Sequence, residues 1–241
     1  MTKSEIIKFL VLRSIGNFLL LFAVFGVFAT FGPVAYYEAQ FKLREYQGVR
    51  YQLIDPTANK NEPSFPKRGR TQSSQTTTDD SFLSILADKR TRLIIPKDTN
   101  FSIVIPKIGA SAKVFPNVDS GNQNTFLPIL QQGVAHAAGT VFPGMSGNIY
   151  LFAHSTDNFW NVGRYNAVFY LLKNLSPGDE IIVFFENTRY NYVVSEQRVV
   201  EGNDTSYITN AKHGNGETLI LQTCWPPGTT WKRLLILAKP K

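Results

Sequence analysis

The sequence contains a single cysteine, and its position suggests nucleophilic chemistry. Cys224 lies where the apolar run from Thr218 to Leu221 ends, just before a turn formed by Pro226 to Gly228. A free cysteine can simply fill a small buried apolar site, so its presence alone assigns no role. As a nucleophile, the thiolate needs a base or ion partner, and it needs a positive group to hold the oxyanion that forms on attack of a carbonyl.

Three histidines could serve as the base, and one of them has the most suitable position. His154 follows the apolar segment GNIYLFA and precedes a polar loop, so we expect it at the end of a strand, as is Cys224. His136 lies in a segment rich in Gly and Ala that is predicted to be a loop, and His213 lies in a predicted connector. Because loop residues lie mostly at the surface, His154 is the predicted partner of Cys224.

Two cations follow the turn after the cysteine. If the strands on either side of this turn pair in antiparallel fashion, Arg233 returns to the level of Cys224. A guanidinium offers several donors in a rigid fork, which suits an oxyanion better than the mobile ammonium of lysine. Side chains alternate between faces along a strand, so Lys232 and Arg233 cannot both face the thiol. From the pattern alone, both cations could instead protect an exposed strand edge.

The N-terminal region predicts a membrane anchor. The segment from Ile15 to Ala35 has no charged residue, and its length corresponds to about 30 Å of helix, the thickness of a bilayer core. A cleaved signal peptide usually has a shorter apolar region. Basic residues outnumber acidic ones before the span, which predicts that residues 1–14 are cytoplasmic and that the chain after residue 35 is extracellular. We therefore expect a single-pass protein of the cell membrane.

Residues 36–92 are predicted to connect this anchor to a folded domain. The stretch from Asp55 to Ser81 is rich in Pro, Ser and Thr and has one aromatic residue, which is typical of a flexible tether. Residues 1–95 contain 13 basic and 8 acidic residues, so the basic excess lies mainly beside the span, where it suits anionic lipid. The distal part has no clustered basic face, which argues against a nucleic-acid partner.

Residues 93–241 have the composition of one globular domain. Short apolar and β-branched runs alternate with turn signals, as in FSIVIPKIG, DEIIVFFEN and KRLLILAKP. Only NTFLPILQQG and NAVFYLLKNL have the character of short helices. Six to eight strands with so few helices predict a mainly β fold, a closed or nearly closed barrel.

The order of these motifs resembles the sortases, the membrane-anchored cysteine transpeptidases of bacterial surfaces. TLILQTC is similar to the strand that ends in the family's cysteine, an arginine follows on the next strand, and GTVFPGMSGNIYLFAHS is similar to the segment that ends in its histidine. The resemblance covers roughly Ile94 to Lys241 and implies a closed barrel of about eight strands with one or two short helices. Gln222 stands where many members have a small or aliphatic residue, and the subclass is nearest to classes D and E.

The resemblance also implies residue roles. Cys224 would be the nucleophile, His154 the general acid and base, and Arg233 the group that holds the oxyanion and the substrate. Thr223 would line the substrate site. No cofactor is expected, and no calcium requirement, because HAAGTVFPGMSGN lacks the acidic residues that calcium-activated members use.

The implied reaction cleaves an LPxTG-like C-terminal sorting signal through a thioester and transfers the protein to an amine. The acceptor would be a cell-wall precursor or a pilin lysine. Two alternatives remain at this point: a cysteine endopeptidase that releases surface proteins, and a membrane-tethered barrel that binds peptides without catalysis.

Overall fold

The computed structural model describes residues 3–57, 91–155, 167–213, 216–227 and 229–241 of the chain. The α-helices are α1 (Lys3–Tyr46), α2 (Gln123–Leu130) and α3 (Ser206–Thr209). Short 3-10 helices cover Pro106–Ile108, Ala167–Asn174 and Ala211–His213. The strands are β1 (Arg50–Leu53), β2 (Thr91–Ile94), β3 (Phe101–Ile105), β4 (Ala110–Val118), β5 (Val134–Ala137), β6 (Gly147–Phe152), β7 (Glu180–Phe185), β8 (Thr188–Glu201), β9 (Glu217–Trp225) and β10 (Lys232–Pro240).

Eight of the strands form a closed barrel, which confirms the predicted fold class. The strand order around the barrel is β10-β8-β7-β3-β4-β5-β6-β9, and β9 pairs again with β10. Most neighbours are antiparallel, but β4 pairs with β5 and β6 with β9 in parallel. The two predicted short helices correspond to α2 and to the 3-10 helix Ala167–Asn174.

The two ends of the barrel carry different residues, and we name each end after one of them. We call one the Cys224 end: β3, β6 and β9 finish there, and β10 begins there. We call the other the His136 end, where β3, β6 and β9 begin and where β7 turns into β8. The 3-10 helix Pro106–Ile108, which joins β3 to β4, lies at the Cys224 end.

Alternation along the strands produces a core inside the barrel and an apolar layer outside it. On β9, Leu219 and Leu221 point into the barrel core, whereas Ile220 belongs to the outer layer. On β6, Ile149 and Leu151 point inward in the same way. Because successive side chains point to opposite faces, the even-numbered residues of these two strands form one outer surface. The helices α2 and α3 cover part of that surface.

The N-terminal helix is longer than its apolar segment. α1 includes the predicted span from Ile15 to Ala35 and continues to Tyr46. Within α1, the segment Lys3–Ala29 is long and apolar enough to cross a membrane, and none of its most apolar window is buried against the protein. The helix therefore has an exposed apolar part followed by a polar part.

The chain after α1 returns to the barrel earlier than its composition suggests. β1 pairs in parallel with β2, and Tyr51 and Leu53 pack on the outer face of β3 and β7. Asp55 forms an ion pair of 3.0 Å with Arg189 at the start of β8. Most of the predicted tether, residues 58–90, lies outside the described residues.

The expectation that His136 belongs to a surface loop is wrong. His136 is 0% exposed and lies in β5, opposite Leu151 of β6. All four residues of β5 are buried, and the small side chains of Ala135 and Ala137 fit between the barrel and its outer layer. The Gly and Ala content therefore indicates close packing on both faces of a strand.

Candidate active site

The register of two parallel strands aligns His154 with Cys224. Each residue of β6 pairs with the residue 70 positions later in β9, from Gly147 with Glu217 to Phe152 with Gln222. Beyond the last pair, the Ala153 amide donates to the Gln222 carbonyl over 3.2 Å. Continued for two residues, the same register makes His154 and Cys224 neighbours at the Cys224 end.

Thr223 fixes the two strand ends to each other. Its side chain is buried, at 2% exposure, and its Oγ1 donates to the Ala153 carbonyl over 3.2 Å. The bond joins the residues that directly precede His154 and Cys224. Thr223 therefore helps to position His154 and Cys224 from the inner face of β9, because its side chain points away from the face on which Cys224 lies.

The antiparallel pairing of β9 with β10 brings one cation to the thiol. Arg233 is the direct cross-strand partner of Cys224, and Lys232 is the partner of Trp225. Directly opposed residues of two strands project on the same face. Lys232 therefore lies on the other face, where it is exposed and forms an ion pair of 3.3 Å with Glu201 of β8.

The Arg233 side chain is held by backbone oxygens of the turn. Its guanidinium donates to the Thr230 carbonyl over 2.9 Å and to the Lys232 carbonyl over 3.1 Å. Burial raises the pKa of the Tyr150 hydroxyl, and the charge of Arg233 acts in the opposite direction. These bonds leave other donors of the guanidinium available for a ligand beside Cys224.

Cys224 lies at the edge of an apolar surface on the outside of the barrel. The thiol residue is partly exposed, so a substrate can reach it. The surface is formed by residues of β6, β9 and β10 with the two helices that border it: Tyr150, Phe152, Ile220, Leu235, Phe126, Ile129, Tyr207 and Ile208. Phe126 packs edge-on against Phe152, with ring centres 5.9 Å apart. The strand residues of this layer are buried, so an extended peptide placed here would contact the partly exposed apolar side chains of α2 and α3.

Two polar residues of this surface were not predicted as part of the site. Gln222 lies two positions before Cys224 on the same face of β9, and the Tyr150 hydroxyl lies 3.5 Å from its Oε1. The period-2 alternation of a strand could have identified Gln222, since every second residue before Cys224 shares its face. Tyr150 could not be found in this way, because its place depends on the pairing of β6 with β9.

The other two histidines do not join this group. His136 accepts a hydrogen bond from the Asn117 amide at Nδ1, and its Nε2 lies 3.0 Å from the Val141 carbonyl and from Thr140 Oγ1. Acceptance at Nδ1 requires the neutral ring to carry its proton on Nε2. His213 belongs to the 3-10 helix Ala211–His213, near the start of β9. Within the described ranges, no three His, Cys, Asp or Glu side chains come together in an arrangement that could bind a metal.

Comparison with known families gives a match over most of the barrel. The family model described as the sortase domain matches residues 103–241, which is more than half of the chain. Sortase D of Bacillus subtilis (strain 168) is 29% identical over 138 residues, a match that covers 56% of this chain and 60% of that protein. The chain thus matches less than two thirds of the length of this curated relative.

Solved structures with a similar fold include several sortases. Sortase C1 of GBS Pilus Island 1 aligns with a TM-score of 0.50 at 22% identity, over 58% of this chain and 63% of that one. Sortase C-1 from Actinomyces oris aligns with a TM-score of 0.49 at 25% identity, over 67% and 81%. Clostridium perfringens sortase C, solved with the C-terminal cell wall sorting motif, aligns with a TM-score of 0.49 at 22% identity, over 61% and 72%.

Proposed function

The chain belongs to the sortase family, and from this premise we propose that it is a cysteine transpeptidase in which Cys224, His154 and Arg233 perform the chemistry. The observation that supports the roles most directly is the register: β10 pairs Arg233 with Cys224, and the parallel pairing of β6 with β9 ends two residues before His154 and Cys224. Two neighbouring strands and the residues that follow a third thus supply a nucleophile, a cation and an acid-base group at one end of the barrel.

In the first stage, the Cys224 thiolate attacks the carbonyl carbon of the scissile peptide bond. The negative charge that forms on the carbonyl oxygen is stabilised by donors of the Arg233 guanidinium. When the carbon–nitrogen bond breaks, His154 gives its proton to the leaving amine. The product is a thioester between Cys224 and the N-terminal part of the substrate.

In the second stage, an incoming amine attacks the thioester carbon. His154 accepts the proton that the amine loses, a new amide bond forms, and the Cys224 thiolate leaves. One amide is exchanged for another, so the reaction needs no energy source. Attack by water would instead release the protein and make the enzyme a peptidase.

The substrate is a protein with an LPxTG-like C-terminal sorting signal, and the acceptor is the amine of a cell-wall precursor or of a pilin lysine. The partly exposed apolar side chains of α2 and α3, on the same outer side of the barrel as Cys224, suit the leucine and proline side chains of such a signal. Thr223 contributes by holding the ends of β6 and β9 in place and so orienting the site.

Trapping the thioester tests this function. The full chain in detergent is incubated with a library of sorting-signal peptides and assorted amines, and both protein and products are measured by mass spectrometry. We expect an acyl adduct on the wild-type chain, a ligated product when an amine is present, and neither with Cys224→Ala at unchanged thermal stability. Peptide cleavage that persists in Cys224→Ala would refute the proposal.

We also propose that α1 anchors the protein in the cell membrane, with residues 1–14 in the cytoplasm and the domain of residues 93–241 outside. Cys224 is the only cysteine and is partly exposed, so it can report on topology. A membrane-impermeant maleimide should label it in intact cells, with Cys224→Ala as the unlabelled control. Labelling that appears only after lysis would place the domain inside.

A further inference from the structure

The polar end of α1 is attached to the barrel by an ion pair. Glu38 of α1 lies 2.7 Å from the Lys173 ammonium, and the Tyr170 hydroxyl donates to the same carboxylate over 3.2 Å. The ammonium also lies over the Tyr170 ring, 4.5 Å from its centre. One turn further along α1, Phe41 packs against the barrel core.

A second set of contacts continues this attachment into β1. The Arg44 guanidinium donates to the Tyr51 hydroxyl over 3.3 Å. The Tyr51 ring lies so close to Gly109 that a Cβ atom there would be only 2.5 Å from it, and Gly109 has a φ of 64°, which favours glycine. Helix, strand and barrel therefore form one packed unit.

These contacts all lie at the Cys224 end of the barrel. Gly109 follows the 3-10 helix that joins β3 to β4 at that end. Lys173 belongs to the 3-10 helix Ala167–Asn174, which comes after β6 has finished there and which contacts Pro106–Ile108. All residues from Lys3 to Phe28 are exposed, so the apolar part of α1 does not lie along the barrel wall. It is joined to the barrel through the contacts of the polar part of α1 at the Cys224 end.

The same end presents an exposed indole. The Trp231 side chain is 74% exposed, in the turn between β9 and β10. The turn itself is held: the Gly202 amide donates to the Trp231 carbonyl over 3.1 Å, and a Cβ on Gly202 would be only 2.7 Å from that oxygen. Tryptophan is enriched where membrane proteins meet the lipid headgroups, because its ring is apolar and its N–H is polar.

We propose that the Cys224 end of the barrel rests on the outer surface of the bilayer, held by α1 on one side and contacted by Trp231 on the other. The inference rests on the proposed membrane location of α1. In the strand order, β3 and β4 lie across the barrel from β9 and β10, so the attachment and the indole support opposite sides of the same end. Exposed Lys42 and Lys107 lie at this end and suit anionic headgroups.

The arrangement has a consequence for the position of the thiol. The chain contacts the barrel through β1 and Asp55 before it enters residues 58–90, so the length of that segment does not set the distance between membrane and site. Cys224 is therefore held close to the headgroups.

Depth-dependent quenching in vesicles tests the proposal. In a full-length Cys224→Ala background, a single cysteine that carries an environment-sensitive dye is placed by Trp231→Cys, by Met145→Cys or by Phe22→Cys. Met145 is the matched control, since it is an apolar turn residue, 54% exposed, at the His136 end. The chains are reconstituted in phosphatidylcholine and phosphatidylglycerol vesicles with lipids that carry a nitroxide near the top of the acyl chain.

We expect loss of emission at positions 22 and 231 and none at position 145. Loss at position 22 with equal emission at 231 and 145 would overturn the inference and leave the anchor intact. No loss at position 22 would overturn the membrane location and the inference together. As a further check, Lys173→Glu should reduce quenching at 231, and adding Glu38→Lys should restore it; unchanged quenching in Lys173→Glu would contradict the role of the ion pair.

Discussion

The two ends of the barrel use similar residue types for opposite purposes. At the His136 end, a histidine and a tyrosine are buried and bonded, the histidine to the backbone and the tyrosine to a partly buried carboxylate. The Tyr192 hydroxyl donates to Glu217, whose carboxylate also accepts from the Gly144 amide over 3.0 Å. Burial, followed by this carboxylate, raises the pKa of Tyr192. At the Cys224 end, His154 and Arg233 are only partly buried and lie beside an accessible thiol.

The difference teaches that a polar residue's role in this fold depends on what surrounds it. His136 has partners at both ring nitrogens and stacks on Phe142, with ring centres 4.5 Å apart. Such a ring cannot accept a proton without losing a bond. Stability should therefore depend on the His136 end and the proposed reaction on the Cys224 end.

The strongest test of this separation is His154→Ala. Loss of an acid-base group should slow thioester formation by on the order of 1,000-fold, while the melting temperature stays that of the wild type because His154 lies at the edge of the barrel. Steady-state peptide cleavage and thermal unfolding of the full chain in detergent measure both effects. A variant that unfolds early and retains its rate would reverse the assignment.

The second test compares two adjacent cations. Arg233→Ala should reduce transpeptidation by on the order of 100-fold, the scale of a lost oxyanion donor. Arg233→Lys should also reduce the rate of transpeptidation, because the positive charge remains but the guanidinium group, with its several donors in a rigid fork, is lost. Lys232→Ala is the matched control and should be nearly neutral, because its ion pair with Glu201 is exposed.

If Lys232→Ala lost most of the transpeptidation rate and Arg233→Ala lost little, the functional face of β10 would be the face of Lys232. The pairing of Arg233 with Cys224 would then not describe the active enzyme.

The third test addresses the opposite end. His136→Ala removes a buried ring and leaves the Asn117 amide and the Val141 carbonyl without their partner, so the free energy of unfolding should fall by about 2 kcal/mol. The rate per folded molecule should stay unchanged. Chemical unfolding and active-site titration separate the two quantities, and a rate loss without destabilisation would contradict the distinction between the ends.

The smallest expected effect is a pH dependence of stability. Burial lowers the pKa of His136 below its ordinary value of 6.5, against a smaller opposing effect of its bond to Val141. The unfolded chain therefore takes up a proton at a higher pH than the folded one. Stability should be full above about pH 6.5 and fall as the pH drops from there toward the folded pKa. His136→Phe should reduce the dependence of the free energy of unfolding on pH between pH 7 and pH 5. An equal dependence in that variant would show that other groups cause it.

The local sequence pattern predicted most of the strand arrangement at the Cys224 end, but little of the long-range pairing that supports it. Strand chemistry, one turn and alternation were sufficient to place Arg233 at the level of Cys224, because these residues lie on strands joined by a short connection. The pairing of β6 with β9 joins residues that are 70 positions apart. The only sign of it in the sequence was that His154 and Cys224 each follow an apolar run and precede a turn or loop.

Elsewhere the sequence misled for identifiable physical reasons. β5 is a strand of small residues buried on both faces, and its Gly and Ala neighbours resemble a loop. β1 is four residues long and owes its place to a partner, β2, that begins at Thr91. Neither strand is stable by its own propensity, so tertiary pairing determines both.

The parallel pairing of β6 with β9 also affects how the enzyme can be altered. Because hydrogen bonds between the two strands, and not the length of chain between them, set the relative position of their ends, the connections that flank β7 and β8 can be lengthened without displacing β6 or β9, provided that β7 and β8 keep their places in the barrel. The connections before β7 and after β8 are thus natural places for grafting new recognition loops beside the reactive residues.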